Sequence, residues 1–452
     1  MKRWIALWLA ALLCLTACGA QQTAEVPQQA AEEPEAGTPE AEPVEAEKIE
    51  ITLGGLAFDN SLLRQFVNQF NKTPSAYCVK LVDYRDKAED ALQAQQVLQT
   101  EILAGKSPDM ICFDSGSREQ EIDGISPLPL IAKGLLADMD SLIMKDSKTD
   151  QQKIAIWDAL HEYGGLYLMA PLFTVKTVYC APSTLAEHQN WTVQEYLQME
   201  AALGPDQIMM YYMSPDEFLT QIGDRYMRNA LDLEHASCNF DCEEFIGILN
   251  AACQVRSYDT AKQDSADLNA NDGSFRSVPE RMLDGSLIAC AVELRSPWDV
   301  SFDRYRSGGT PMAYIGWPTP DGSAGSDINL IFPIGISAQT EYAEGCWEFI
   351  SYILRNAIVL DAFSGSPSYL PRRTQALTAA NEQGSKWETE AADLEQMYAL
   401  AASCQNLAYY DEAILNIILE EADAMFEGNA TAEEVAQRVQ DRASLYMMEQ
   451  YG

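Results

Sequence analysis

The sequence predicts an α/β protein built on mostly parallel sheets, and two observations carry this prediction. Strand and helix patterns alternate between residues 49 and 113, and a second series follows between residues 287 and 354. Strands separated by helices pair in parallel, because each helix returns the chain to the same end of the sheet. The chain has 452 residues, 47% of them hydrophobic, which suffices for two or three domains with a sizeable core.

The first series contains three strands and two helices. Short apolar runs predict strands at 49–53, 77–84 and 110–113, and helical spacing of apolar residues predicts helices at 61–71 and 86–104. The apolar face of the second helix is formed by Ala88, Ala91, Leu92, Leu98 and Ile102. Ligands of such sheets bind beyond the carboxyl ends of the strands, so the segments after the first and third strands are candidate sites.

The middle of the chain contains a long apolar run at 166–181, interrupted by Pro171. Proline does not belong in the middle of a central strand, so we predict two strands that meet there at a crossover. Helical patterns dominate 192–283. The second series then gives a strand at 331–336 and a helix that ends at 347–354.

The C-terminus gives the clearest helical pattern. Its first helix has an apolar face and is closed by Gly428, and Thr431 and Glu434 form a capping box that begins the next helix. The first apolar face consists of Ile414, Leu415, Ile418, Ala422, Met425 and Phe426, and the second of Val435, Ala436, Val439, Ala443 and Tyr446.

The N-terminus has the three parts of a secretory signal. Lys2 and Arg3 precede an apolar run at 4–15, which is too short to span a bilayer, and small residues follow it. Because a cysteine comes directly after Leu-Thr-Ala, the segment resembles a bacterial lipobox. That resemblance implies a signal peptide at 1–17 and Cys18 as the lipidated first residue of a protein held on the outer face of the cell membrane. An ordinary signal peptide cut near Ala17 or Ala20 is the alternative.

Residues 18–47 are predicted to be a disordered acidic tether. After Cys18 the segment contains eight Glu, no Lys or Arg, and no apolar periodicity. It would reach on the order of 30 Å. The formal charge of the whole chain is −38, and cleavage removes only Lys2 and Arg3, which leaves −40. Such a charge disfavours nucleic-acid binding and attachment to anionic lipid through a basic patch.

Cysteine and histidine usage gives little support to a metal or cofactor site. The sequence has eleven cysteines, mostly scattered in apolar runs, and three histidines that form no cluster. Cys238 and Cys242 are four residues apart, which leaves a disulfide open as a minority alternative to two thiols. The loop 321–327 carries two acids but lacks the ligand series of a calcium loop. We expect no cofactor and no metal.

Four segments, taken in order, resemble extracellular solute-binding protein family 1, the sugar-binding components of bacterial ABC importers. They are EILAGKSPDM at 101–110; GLYLMAP at 165–171; IGWPTPDG at 315–322 with IGISA at 334–338 and CWEF at 346–349; and the closing helices around 420–436. Residues 179–182 depart from the family, since Tyr-Cys-Ala-Pro stands where many relatives have an aromatic residue and Asn-Lys.

The resemblance implies a two-lobed fold of the periplasmic-binding-protein type (type II), with a multi-crossover hinge. Lobe 1 would comprise 49–172 and 332–364, and lobe 2 would comprise 173–331 and 365–452. It also implies a monomeric, non-enzymatic protein that captures a sugar or oligosaccharide between the lobes and delivers it to an ABC transporter permease. Lobe closure would bend a few hinge residues.

Ten residues at strand ends or proposed crossovers are candidate ligand contacts. They are Phe58, Asp59, Asn60, Asp114, Ser115, Phe173, Arg295, Trp298, Trp317 and Tyr369. Aromatic rings pack on the C–H faces of sugars, and carboxylates, amides and Arg bond their hydroxyl groups. Structural roles remain open for six of them: helix capping for Asp59, Asn60 and Asp114, core packing for Phe173, a loop anchor for Trp317, and a solvent-facing helix start for Arg295.

Two other functions remain open. A surface carbohydrate-active enzyme would need a pair of carboxylates, which 68 acidic residues supply too readily to be informative. The sequence contains no nucleophile elbow, no His-Glu-x-x-His and no phosphate-binding glycine loop. A sensor that passes ligand state to a membrane receptor would use the same cleft as a transport protein.

Overall fold

The computed structural model describes residues 47–452, apart from 57, 59–60, 114–124, 186–189, 212, 257–276, 357–365, 383–388 and 409–410. The described helices are α1 Ser61–Phe70, α2 Ala91–Leu103, α3 Leu128–Ala132, α4 Asp140–Lys145, α5 Trp157–Leu160, α6 Pro182–Leu185, α7 Val193–Ala202, α8 Pro215–Ala230, α9 Glu243–Ala252, α10 Val278–Leu283, α11 Pro297–Arg306, α12 Ala343–Asn356, α13 Arg373–Glu382, α14 Ala391–Ser403, α15 Glu412–Phe426 and α16 Ala432–Gln450. The strands are β1 Ile49–Gly55, β2 Tyr77–Asp83, β3 Met110–Cys112, β4 Leu172–Cys180, β5 Ile208–Met210, β6 Leu231–Asp232, β7 Ser237–Cys238, β8 Leu287–Leu294, β9 Ala313–Tyr314, β10 Asp327–Ile331, β11 Ile334–Ile336, β12 Ser366–Pro367 and β13 Asn406–Leu407.

The first sheet has the strand order β11-β3-β1-β2. β1 pairs in parallel with β2 and β3, as the strand–helix alternation predicts, and β11 is antiparallel to β3. Helices α1 and α12 pack together, and the rings of Phe70 and Phe349 meet edge to face at 5.3 Å. Apolar burial between these helices and the strands forms the core of this part of the molecule.

The second sheet is organised around β4. It has the strand order β13-β10-β4-β8-β5, and both β9 and β12 also pair with β4. The pairs β10–β13 and β5–β8 are parallel, whereas β4 runs antiparallel to its neighbours. This sheet is therefore mixed, and the expectation of mostly parallel pairing is wrong for it. The reason is that β4 enters this sheet directly from the first sheet and β10 leaves it directly toward the first sheet, so the two strands run in opposite directions.

Among the described residues, two short segments connect strands of the two sheets directly. Met169 forms a bridge with Ile334 beside the first sheet, and β4 begins in the second sheet at Leu172, immediately after Pro171. The return runs from β10 to β11 through Phe332 and Pro333. Phe332 has a left-handed φ of 56°, so the single strand predicted at 331–336 is instead two strands, one in each sheet.

Helix α2 is shorter than predicted. Residues Tyr84–Lys87 form a separate 3-10 turn, and α2 begins after Asp90, whose side chain accepts a hydrogen bond from the backbone N–H of Gln93. Its buried face includes Ala91, Ala94, Leu98 and Ile102. Leu92, expected on that face, is 62% exposed, because it lies one residue away from the buried stripe.

The C-terminal prediction is confirmed. Thr431 and Glu434 form the reciprocal capping box at the start of α16. Both predicted apolar faces are largely buried, and α15 and α16 pack against each other and against helices of the second sheet. Cys238 and Cys242 are free thiols. Within the described part of the chain, none of the helices has the length and apolar character needed to cross a membrane.

Candidate functional site

One face of α8 carries a polar stripe. Gln221, Asp224, Arg225 and Arg228 recur three, four and seven residues apart, which places them on the same side of the helix. The helix begins at Pro215 after Ser214, whose hydroxyl accepts a hydrogen bond from the Glu217 N–H. This N-terminal cap fixes how α8 is turned about its own axis. The stripe forms one wall of two cavities, and Asp224 lines both.

The first cavity has a volume of about 300 Å³ and lies between α8 and the second sheet. It is lined by Lys176, Thr177, Thr220, Gln221, Asp224, Arg225, Ala291, Val292, Glu293, Trp317, Asp327 and Ala408. Glu293 accepts hydrogen bonds from the Thr174 hydroxyl at 2.6 Å and the Asn329 amide at 3.1 Å. Burial would raise the pKa of Glu293, but these hydrogen bonds together with the nearby Lys176 and Arg295 charges outweigh it and leave the pKa lowered. Glu293 is therefore a fixed acceptor in the wall.

The second cavity has a volume of about 390 Å³. Its lining combines Leu128, Ile131, Ala132, Glu162, Tyr163 and Tyr167 with Asp224, Met227, Arg228, Leu231, Leu233, Glu234 and Asp411. The first group comes from α3 and the segment after α5, and the second comes mainly from α8 and the residues that follow it. The two groups belong to the sequence ranges proposed for lobe 1 and lobe 2, so this cavity is the candidate interlobe cleft.

Asp327 holds the two arginines of α8 between the cavities. Its Oδ2 accepts from Arg225 Nη2 at 2.5 Å, and its Oδ1 accepts from Arg228 Nη1 at 2.8 Å. The side chains of Arg225 and Asp327 are 4% and 2% exposed. A buried charge must be paired, so the loop acid considered above as a metal ligand instead neutralises two guanidinium groups. The described residues contain no group of three or more side chains that could hold a metal ion.

Three polar atoms of this stripe are buried without a hydrogen-bond partner among the described residues. They are Asp224 Oδ1, Arg225 Nε and Arg228 Nε. Burial raises the pKa of Asp224, against the lowering effect of the two arginines. A buried donor or acceptor that stays unsatisfied costs about 1–3 kcal/mol. One helix face thus presents one unused acceptor and two unused donors.

Trp317 is held in the wall of the first cavity by its backbone. Its N–H donates to the Gly325 carbonyl at 2.9 Å, and Gly316, which precedes it, has a φ of 75°. A Cβ on Gly325 would lie 1.9 Å from the Trp317 carbonyl oxygen, so only glycine fits there. Trp317 is 6% exposed and lines the cavity. The Arg225 guanidinium covers its ring, with Cζ 5.5 Å from the ring centroid.

Arg295 and Trp298 lie just beyond β8 but do not line the two cavities. Arg295 Nη2 is 3.6 Å from Glu293 Oε2, and the Arg295 side chain is 55% exposed. Trp298 begins α11 and stacks on Phe302, with ring centroids 5.0 Å apart. Both residues lie close in sequence to Glu293, which lines the first cavity. Their role as ligand contacts remains a proposal.

Phe58, Phe173 and Tyr369 are buried in the core. Phe58 donates its backbone N–H to Asp83, Phe173 packs edge to face against Tyr398, and Tyr369 forms a bridge with Ile154. Their exposed fractions are 3%, 0% and 7%. The structure gives each of them a packing role. Asp59, Asn60, Asp114 and Ser115 lie outside the described residues.

Several residues of these cavities were absent from the sequence prediction. They include Lys176, Gln221, Asp224, Arg225, Glu293, Asp327, Glu162 and Arg228. The polar stripe on α8 was a usable signal, since two arginines and an aspartate share one face of a helix whose other face is apolar. No local pattern distinguishes Glu162, Glu293 or Asp327 from the many other acids of this chain.

The fold matches solved structures along nearly the whole chain. The sugar-binding protein MalE from Xanthomonas citri aligns with a TM-score of 0.54 at 14% identity, over 88% of this chain and 98% of that one. An extracellular solute-binding protein family 1 from Alicyclobacillus acidocaldarius aligns with a TM-score of 0.52 at 15% identity, over 89% and 99%. A sugar transporter from Rhizobium etli in an open conformation aligns with a TM-score of 0.52 at 13% identity, over 87% and 99%.

In sequence, no family model and no curated protein matches the chain. The structural likeness therefore establishes the fold, which is the one that the sequence resemblance predicted. The chain has the two-lobed α/β fold of the extracellular solute-binding proteins.

Proposed function

We propose that this protein captures a sugar or oligosaccharide at the two cavities beside α8 and delivers it to an ABC importer. The fold supports the proposal, because the three aligned proteins are described as sugar-binding, solute-binding and sugar-transporting. In this proposal, ligand from the interlobe cleft would contact Asp224 and Arg228 first. It would extend toward Glu293 and Trp317 in the first cavity.

The observation that carries the proposal is the set of three unsatisfied polar atoms on α8. Asp224 Oδ1 needs a donor, and Arg225 Nε and Arg228 Nε need acceptors. A sugar hydroxyl group is both a donor and an acceptor, so hydroxyls of a ligand that occupies both cavities would be suitable partners for these atoms, with Arg225 in the first lining and Arg228 in the second. The tyrosine and tryptophan rings in the two linings add apolar surface for the C–H faces of the ring.

Charge in the first cavity favours a neutral ligand. The acids Asp224, Glu293 and Asp327 oppose Lys176 and Arg225, and the two arginine–aspartate contacts already neutralise Asp327. A ligand with its own strong charge would have to displace one of these pairs, which a neutral sugar does not.

The location and the partner are further parts of the proposal. The signal sequence and Cys18 support lipid attachment at the outer face of the membrane, and residues 19–47 support a tether that lets the body reach a permease. A sensor that reports ligand to a membrane receptor would share the same site. Disruption of the permease genes distinguishes the two, because only a transport role makes sugar uptake depend on them.

Isothermal titration calorimetry of the mature chain against a panel of mono- and oligosaccharides tests the proposed function. We expect saturable binding of at least one sugar, without release of products from an oligosaccharide over hours. Absence of heat for every sugar on the panel contradicts the proposal. Hydrolysis that is lost on substitution of a cavity carboxylate would favour the enzyme instead.

A further inference from the structure

Glu162 links the two sides of the interlobe cavity. It lies after α5, in the range proposed for lobe 1, and its partners lie in the range proposed for lobe 2. Its Oε2 accepts the backbone N–H of Leu407 at 2.7 Å, and its Oε1 lies 3.6 Å from Arg228 Nε. The Glu162 and Arg228 side chains are 12% and 14% exposed. One carboxylate therefore contacts β13 and α8 across the cavity that both sides line.

The charged groups that face Glu162 are one base and two acids from the elements packed against it. Helix α8 supplies Arg228 and Asp224, β10 supplies Asp327, and β13 supplies the Leu407 N–H without a charge. On its own segment, His161 turns away and contacts Asp140 at 3.0 Å. Arg228 is already held by Asp327 at 2.8 Å and lies farther from Glu162, at 3.6 Å, so it compensates the Glu162 charge only in part.

The environment of Glu162 places its titration near neutrality. Burial raises the pKa to about 7, and the nearby Asp327 and Asp224 charges add to the increase. Arg228 and the Leu407 N–H oppose it but do not cancel it. A proton from solvent would bind the oxygen that faces Arg228, while the other oxygen could still accept the Leu407 N–H. Protonation removes the charge–charge contact with Arg228, but it also removes the cost of keeping a buried carboxylate ionised. This cost is the larger effect, because the pKa is raised despite Arg228.

We propose that Glu162 is a protonation-dependent tie between the lobes, which strengthens their contact when protonated and loosens it when ionised. The interlobe cavity then changes its arrangement between mildly acidic and mildly alkaline conditions. Where the proposed function holds, ligand capture changes over the same pH range, because Arg228 lines the cavity and one of its three carboxylate contacts changes charge.

Small-angle X-ray scattering and hydrogen exchange of the ligand-free mature protein test the tie. Between pH 8.5 and pH 5.5 we expect a change in the radius of gyration with a midpoint near 7. We also expect the Leu407 amide to exchange roughly two- to fivefold faster at pH 8.5 than at pH 5.5 after correction for intrinsic rates, because the contact opens more readily when Glu162 is ionised. Glu162→Gln keeps an acceptor for Leu407 without the charge. It should resemble the acidic wild type at every pH.

Glu234→Gln is the matched control, because Glu234 lines the same cavity and is exposed. This variant should keep the full pH response. A wild-type protein whose scattering and Leu407 exchange do not change with pH overturns the tie, and this measurement needs no variant to fold. A response that persists in Glu162→Gln overturns it as well. Neither measurement uses a sugar, so failure here leaves the calorimetric test of the proposed function intact.

Discussion

The Arg225 guanidinium lies over the indole ring of Trp317, with Cζ 5.5 Å from the ring centroid. The same guanidinium donates to the Asp327 carboxylate and to the Gly325 carbonyl, which also accepts the Trp317 N–H. Trp317 therefore supports Arg225 as well as lining the cavity. A cation over an aromatic face contributes about 1–2 kcal/mol when water is excluded.

Trp317→Ala should weaken sugar capture by about 1–3 kcal/mol, because both the ring and the position of Arg225 are lost. It should also lower the free energy of unfolding by about 3–5 kcal/mol, as expected for a large buried aromatic residue. Calorimetry and urea denaturation measure the two effects. Trp317→Phe keeps an aromatic face and should recover most of both. Unchanged affinity in the folded alanine variant removes Trp317 from the site.

Asp327→Asn should lower the free energy of unfolding by about 3–5 kcal/mol, since two buried guanidinium groups would lose their shared carboxylate. Urea denaturation followed by fluorescence gives the value. Asp321→Asn is the comparison, because Asp321 is exposed in the preceding loop and its loss should cost less than about 1 kcal/mol. Equal costs for the two variants would mean that the buried network contributes nothing.

Asp224→Asn should weaken sugar binding at least about tenfold, the effect of losing one charge-assisted hydrogen bond. It should change stability by less than about 1 kcal/mol, because the nearest cation to Asp224 Oδ1, Arg228 Nη2, is 3.9 Å away and forms no hydrogen bond with it. Asp216→Asn, on the same helix but exposed, should bind normally. The measurement is calorimetry with the tightest sugar of the panel. Wild-type affinity in Asp224→Asn would exclude Asp224 as a ligand contact.

Asp303 should make stability depend on pH. Burial raises the pKa of Asp303 to about 7, Asp299 adds to the increase, and the Tyr314 hydroxyl, 3.3 Å away, opposes it. The folded state then binds a proton that the unfolded state, with a pKa near 4, has released. The free energy of unfolding therefore falls as pH rises from about 4 to about 7, by on the order of 3 kcal/mol.

Thermal unfolding of Asp303→Asn at several pH values checks this dependence. The variant should lose most of that slope, whereas Asp158→Asn, an exposed acid, should keep it. An unchanged slope in Asp303→Asn would place the titration elsewhere.

Cys18→Ser should move the protein from the membrane fraction to the culture medium or periplasm. The serine cannot receive a lipid, and the signal sequence before it is unchanged. Cell fractionation and mass spectrometry of the mature N-terminus make the measurement. Recovery of the wild-type protein without an acyl chain would contradict lipid attachment.

Local chemistry made parts of the fold predictable. Thr431 and Glu434 form their capping box within one helical turn, and the buried faces of α15 and α16 follow from helical spacing alone. The strands β1, β2 and β3 and their parallel pairing follow from apolar runs separated by helices. The split at Phe332 was not predictable from periodicity, because a left-handed φ at a non-glycine residue leaves no such signal.

The residues of the candidate site, in contrast, were mostly not predictable from local sequence. Trp317 was found because a tryptophan between Gly316 and Pro318 is unusual in a loop. Its partner Arg225 lies 92 positions earlier in the sequence, and Asp327 bonds Arg225 across 102 positions. In a chain with 68 acids, no spacing rule selects the one that meets two arginines.

The sequence by itself determined the class of fold and the C-terminal helices with their cap, because each depends on residues within a few turns of one another. Only the tertiary structure decided that Glu162 meets Leu407 across 245 positions and that one face of α8 separates two cavities. The physical reason is that burial and charge pairing depend on which distant segments the fold brings into contact.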